Sequence, residues 1–172
     1  MRGVRRGGRL AFAVAAVAMA LISTTGVEAA GRINAQEQDA LAARMLQTEL
    51  MVAALRCNEH GRYNAFVHRF EDQLVTRGRT LKGMFVRLYG SQGVSRLNSF
   101  ITRIANEASL RSLAVGRDYC FQADALFANV LAAQPTQFSA LAQDQPFSED
   151  HGLDVLAPAA LKADLDAGSD LR

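Results

Sequence analysis

Between Asn34 and about Ala133, apolar side chains recur every three or four positions, and nowhere do apolar and polar residues alternate for long. That period gathers the apolar set on one side of an α-helix, whereas strict alternation would signal a half-buried strand. No proline interrupts the chain before Gln134. The pattern predicts an all-α fold, an antiparallel bundle of about four helices with short connections, over residues 30–133.

The first helix opens at "NAQE", where Asn34 and Glu37 have the spacing of a capping box. It runs to about Cys57, with Leu41, Met45, Thr48, Val52 and Leu55 on one face. Ala42, Leu46, Leu50 and Ala53 form a second apolar flank, wider than a surface helix needs. That surplus predicts an interface, either for self-association or for another protein. A second helix starts near Arg62. Tyr63, Phe66, Phe70, Leu74, Leu81, Phe85 and Leu88 make it one long element, bent at Gly78. Arg77 falls inside its apolar face, to be explained by snorkelling to water or by a salt bridge to Asp39 or Glu37.

"YGSQG" (Tyr89 to Gly93) turns the chain into a third helix whose expected buried stripe is Val94, Leu97, Ile101, Ile104 and Ala108. Arg103, Glu107 and Arg111, four apart, suit exposed ion pairs on the opposite side. After Gly116 a fourth helix carries Cys120, Ala123, Phe127, Val130 and Leu131. Beyond Gln134 the period fades among three prolines, glutamines and acidic residues. Residues 134–172 read as a largely disordered tail, with a helical turn near "PAALKADL".

The N-terminal end changes the picture of charge. Arg2, Arg5, Arg6 and Arg9 precede the apolar run "LAFAVAAVAMALI", and Val27 and Ala29 stand at −3 and −1 of a cleavage site. A basic start, a short apolar run and small residues at the cut are the marks of an export signal, residues 1–29. The thirteen-residue run is short for a membrane span, which needs about twenty. Without that segment the formal charge moves from +2 to −1, which removes the basis for a nucleic-acid role. The expected location is periplasmic or secreted, with no membrane span after cleavage. Residues 62–117 carry +7 and residues 136–172 carry −5, so a basic body precedes an acidic tail that could bind itself or an anionic partner.

Two cysteines in an exported chain make one disulfide the default expectation. In an up-down-up-down bundle the first helix ends and the fourth begins at one pole, which brings Cys57 and Cys120 together. A reactive thiol would want a C-x-x-C or a nearby base, and only His60 is close in sequence. The surrounding stretch, Leu55 to Phe70, is rich in polar chemistry. Asn58 and Gly61 suit a helix end and tight turn, and Asn58, His60, Tyr63 and Asn64 form a candidate binding corner.

Other chemistry is sparse. His60 and His68 are eight apart, about 12 Å along a helix, too far to share a metal ion. Glu-x-x-His, C-x-x-C-H, P-loop, G-x-G-x-x-G and G-x-S-x-G patterns are absent, so no metal, cofactor or catalytic residue is assigned. Asn98, Thr102, Asn106 and Ser109 make an uncharged polar strip on the third helix, either a buried hydrogen-bond network or the wall of a ligand groove.

The residues Cys57-Asn58, Tyr63-Asn64, Phe66, Tyr89-Gly90, Gly93, Leu97-Asn98, Phe100, Thr102, Asn106 and Tyr119-Cys120 form a pattern over about residues 50–131. It resembles that of small exported bacterial helical proteins without an assigned activity. The resemblance implies an exported helical domain. Such proteins sometimes carry the label adenosylhomocysteine hydrolase. That enzyme resembles a large nucleotide-binding α/β protein, and this chain lacks its length and glycine fingerprint. The sequence therefore points to a non-catalytic protein that binds an unknown protein or envelope partner. A small-molecule or metal binder, or a minor enzyme, using the polar strip or the Cys57–Tyr63 corner is the alternative.

Overall fold

The structure is a computed structural model, and it describes residues 32–153. The expected export segment and the turn near residues 158–165 lie outside them. The described chain forms six α-helices: α1 (Ala35–Cys57), α2 (His60–Arg69), α3 (Glu71–Tyr89), α4 (Gly93–Val115), α5 (Asp118–Ala132) and α6 (Phe138–Gln143). No strand occurs among these residues, so the all-α bundle stands.

α1 is the central rod and packs against each of the other five α-helices. Its alanines allow this: Ala40, Ala42, Ala43, Ala53 and Ala54 are all buried, and small side chains let neighbours approach from several sides. The capping box at its start is complete. Asn34 Oδ1 accepts the Glu37 N–H (3.0 Å), and Glu37 Oε2 accepts the Asn34 N–H (2.9 Å). The same buried carboxylate is held by Arg87 of α3 through Nε (3.1 Å) and Nη2 (2.7 Å), which ties the helix start to the bundle.

At the other end Asn58 adopts the left-handed conformation (φ 61°, ψ 35°), in which Asn is tolerated better than most residues. The turn it makes lets α2 begin two residues later. Cys57 and Cys120 are bonded, 63 positions apart in sequence, so the end of α1 and the start of α5 meet at one pole as expected.

The long second helix is instead two. The backbone leaves helical geometry at Phe70 (φ −114°, ψ 22°), whereas Gly78 lies within continuous α3. The break separates two apolar clusters. Phe66 and Phe70 join Leu46, Leu50, Phe127 and Phe138 around the second half of α1, while Leu81, Met84 and Phe85 join Leu41, Met45, Phe100 and Ile104 around the first half. Of the two explanations for Arg77 the ion pair holds, with Asp39 as the partner: Nε lies 2.7 Å from Asp39 Oδ2.

α4 buries Ile104 and Ala108 as expected, and Leu97 and Ile101 pack half-buried against the second cluster; Val94 instead is 48% exposed, and Gly93, Phe100 and Ser112 are buried. A Cβ at Gly93 would lie 2.6 Å from Val86 Cα, so the tight crossing of α3 and α4 admits only glycine there. In α5, Ala123, Phe127 and Val130 are buried as expected and Leu131 half-buried. Cys120 itself is exposed and Tyr119 takes the inward position.

Two further expectations are corrected. Residues 134–153 are no loose tail. They form a 3-10 turn (Pro135–Gln137), α6 and a closing segment, so the folded unit extends well past residue 133. Phe138 and Ala142 of this region are fully buried. In consequence Ala42, Leu46, Leu50 and Ala53 are not a free interface: they are buried within the molecule, in one cluster with Phe138 and Ala142. The returning chain covers the surplus apolar flank.

Candidate functional site

The sequence-derived candidates form two separate groups, one at the Cys57–Tyr63 corner and one along α4. At the Cys57–Tyr63 corner Asn58, His60 and Asn64 are exposed, and Tyr63 is half-buried with its ring 6.1 Å from that of Phe66. These residues end a helix, turn the chain and begin the next. Asn98, Thr102, Asn106 and Ser109 are likewise exposed, so they form no buried network; Asn98, Thr102 and Asn106 line an open groove along α4 instead. Thr102 and Ser109 donate their hydroxyls back to Asn98 O (3.0 Å) and Ala105 O (2.9 Å) of their own helix.

The basic body is largely engaged within the molecule. Among residues 62–117, Arg62 pairs with Asp124, Arg77 with Asp39, Arg87 with Glu37, Arg103 with Glu107 and Arg111 with Glu49. Of the expected exposed ladder on α4, only Arg103–Glu107 forms (2.9 Å). Arg111 turns inward instead.

That inward turn builds the most developed site. Glu49 of α1 is 7% exposed and has both oxygens engaged. Oε2 accepts from Arg111 Nη2 (2.9 Å), and Oε1 accepts the Tyr119 hydroxyl (2.8 Å). A lone buried carboxylate would be costly; a cation and a hydrogen-bond donor together offset that cost. Three helices are thereby tied at one point, four residues from the end of α4 and one residue from the disulfide. Burial, followed by the charge of Glu49 and its hydrogen bond, pushes the Tyr119 phenol well above the usual tyrosine range, against a smaller opposing pull from Arg111 and Arg56. Tyr119 is therefore a fixed donor at ordinary pH, not a base.

Beside this triad lies a cavity of about 330 Å³. α1 contributes Glu49 and Ala53 to it, and α4 contributes Arg111 and Val115. Tyr119, Gln122, Ala123 and Leu126 come from α5, and the closing segment adds Gln145, Pro146, Phe147 and Asp150. The walls are mainly apolar with a few polar groups converging, the usual character of a small-molecule pocket. The segment over it is well anchored: Arg103 donates to His151 O, Ser148 Oγ to Gln143 O (2.9 Å), and Phe147 packs against both apolar clusters.

No family model matches this chain, and no curated protein or solved structure is significantly similar to it. The reading of the pocket rests on its own chemistry. No Ser, Thr, Cys or His lines it. Among the described residues no three His, Cys, Asp or Glu side chains are grouped to hold a metal ion, and no helix is long and apolar enough to cross a membrane.

The sequence reading missed Glu49, Arg111, Gln122 and the closing segment as site residues. One signal was present. Ala42, Leu46, Glu49 and Ala53 follow at steps of four, three and four, so Glu49 sits inside an apolar flank and requires a buried partner. Which arginine answers it is a matter of three dimensions.

Proposed function

We propose that this is an exported, non-catalytic helical protein that holds a small, largely apolar molecule in the cavity beside Glu49, Arg111 and Tyr119. The carrying observation is the combination of a roomy, mostly apolar cavity with a polar floor that is already satisfied: Glu49 spends both oxygens on Arg111 and Tyr119. Such a floor orients a ligand without transferring a proton to or from it. Export to the periplasm or beyond is supported by the pattern of residues 1–29 and by the disulfide, which persists in oxidising compartments. Kinship with the small exported helical proteins remains part of this proposal. The pattern residues Cys57, Asn58, Phe66, Gly93, Phe100, Tyr119 and Cys120 serve the fold, as expected of a shared scaffold.

A second reading, docking of a protein or envelope partner, no longer draws on the α1 flank. It keeps support from Leu55, Leu110, Leu113 and Phe121, which are 60–80% exposed. The first reading is tested by thermal-shift screening of the disulfide-bonded protein against small amphipathic molecules, followed by calorimetry. Leu126→Trp fills the cavity and is expected to abolish binding with the helical circular dichroism retained. Absence of any stabilising molecule in the wild-type screen, or binding unaffected by Leu126→Trp, overturns it.

A further inference from the structure

The hydrogen-bonding state of the cavity narrows the class of ligand. Two of its donors are engaged within the protein: the Tyr119 hydroxyl and one N–H of Arg111 both go to Glu49. Its remaining polar groups lean towards acceptance. Gln145 gives one of its two amide N–H groups to Leu141 O (2.8 Å), and its oxygen is unengaged. The Asp150 carboxylate has no hydrogen-bond or ion-pair partner among the described residues; only its backbone N–H is used, donating to Phe147 O (3.2 Å). Gln122 offers a further amide.

The charge balance points the same way. Glu49 and Arg111 cancel, and Arg103 and Glu107 cancel on the neighbouring surface. Asp150 is then the one uncompensated charge lining the cavity, with Glu149 beside it on the adjoining surface. Arg56 acts on Tyr119 from outside the lining, and Arg111 keeps further N–H groups whose charge Glu49 already balances. A ligand that carries positive charge meets the Asp150 carboxylate and the Gln145 oxygen; an anion meets a repelling carboxylate and an arginine whose charge Glu49 already balances.

We infer that the cavity selects an organic cation, an ammonium group on a short apolar body, with Asp150 and the Gln145 carbonyl receiving the ammonium and Leu126, Val115 and Phe147 holding the body. This rests on the proposed ligand-holding role of the same cavity. The test is calorimetric titration of the disulfide-bonded protein with three probes of matched shape: 2-phenylethylamine, 2-phenylethanol and phenylacetate. The amine is expected to bind about fivefold more tightly than the acid at low salt, the scale of a partly exposed charge pair, and the margin should shrink as salt is raised. Asp150→Asn should bring the amine down to the level of the alcohol. Asp72→Asn, on the exposed first turn of α3, should change nothing. Equal or tighter binding of the acid, or an amine preference untouched by Asp150→Asn, overturns the cation assignment and leaves the cavity a ligand site. Failure of all three probes to bind at millimolar concentration overturns the inference together with the ligand-holding reading.

Discussion

Phe138 decides whether the chain beyond residue 133 belongs to the fold. It is fully buried, its ring centroid is 4.9 Å from that of Phe70 and 6.3 Å from that of Phe66, and the Arg77 guanidinium lies 5.0 Å over it. Phe138→Ala removes the ring and leaves a cavity between α1, α2 and α6. Core Phe→Ala changes cost about 3–5 kcal/mol, the transfer and cavity contributions together. The aromatic neighbours, about 0.5–1.5 kcal/mol for each pair, place this site in the upper half of that range. We expect a loss of about 4 kcal/mol. A loosely attached tail would give no more than about 0.5 kcal/mol, as ordinary surface positions do. The assay is urea unfolding followed by circular dichroism, since the chain has no tryptophan. With a slope of about 2 kcal/mol per molar, the midpoint should fall by roughly 2 M. Phe121→Ala, at a position 80% exposed, is the control and should shift it little. A Phe138→Ala midpoint within about 0.3 M of wild type, at the resolution such slopes allow, would refute the packing argument.

Three further outcomes are expected. Replacing both Cys57 and Cys120 by alanine opens a loop of 63 residues and should lower stability by about 4 kcal/mol on the chain-entropy account, measured as the urea midpoint against the oxidised wild type. Gly93→Ala should cost more than about 2 kcal/mol because its Cβ would press on the Val86 backbone, while Gly83→Ala, with open space around it, should be neutral or stabilise by up to about 1 kcal/mol; equal effects at the two sites would contradict the crossing described. Tyr119 gives a pH signature. Its phenol is raised above the unfolded value of about 10, so the unfolded chain loses this proton first and stability falls as pH rises above about 10. Tyr119→Phe should remove that part of the alkaline loss and delete the late component of the tyrosinate absorbance titration. Parallel pH profiles for the two proteins would count against the Glu49–Tyr119 contact.

How far the site could be read from sequence depends on the range of each interaction. Cys57 and Cys120 were pairable because helix parity puts their two ends at one pole. Arg77–Asp39 was legible because an arginine inside an apolar face needs a nearby carboxylate. Arg111 was misread because Glu107, one turn away, seemed a sufficient partner, whereas Glu49, 62 residues distant, holds it. The polar strip was half legible: its residues are exposed and form no buried network, yet Asn98, Thr102 and Asn106 line an open groove, and which of the two holds depends on what packs against that side of α4.

By itself the sequence determined the all-α class and the courses of α1, α4 and α5, the capping box at Asn34, the helix end at Asn58, the Cys57–Cys120 pairing and an excess of apolar surface on α1. Each depends on residues within a few turns of one another, or on the simple alternation of helix direction. Only the tertiary structure decided the break at Phe70, the burial of Ala42, Leu46, Leu50 and Ala53 by the returning chain, and the cavity beside Glu49. A helix's periodicity states which of its own sides is apolar but not what will lie against it; that is settled by which distant segment has the length and side chains to reach the exposed flank and exclude water from it.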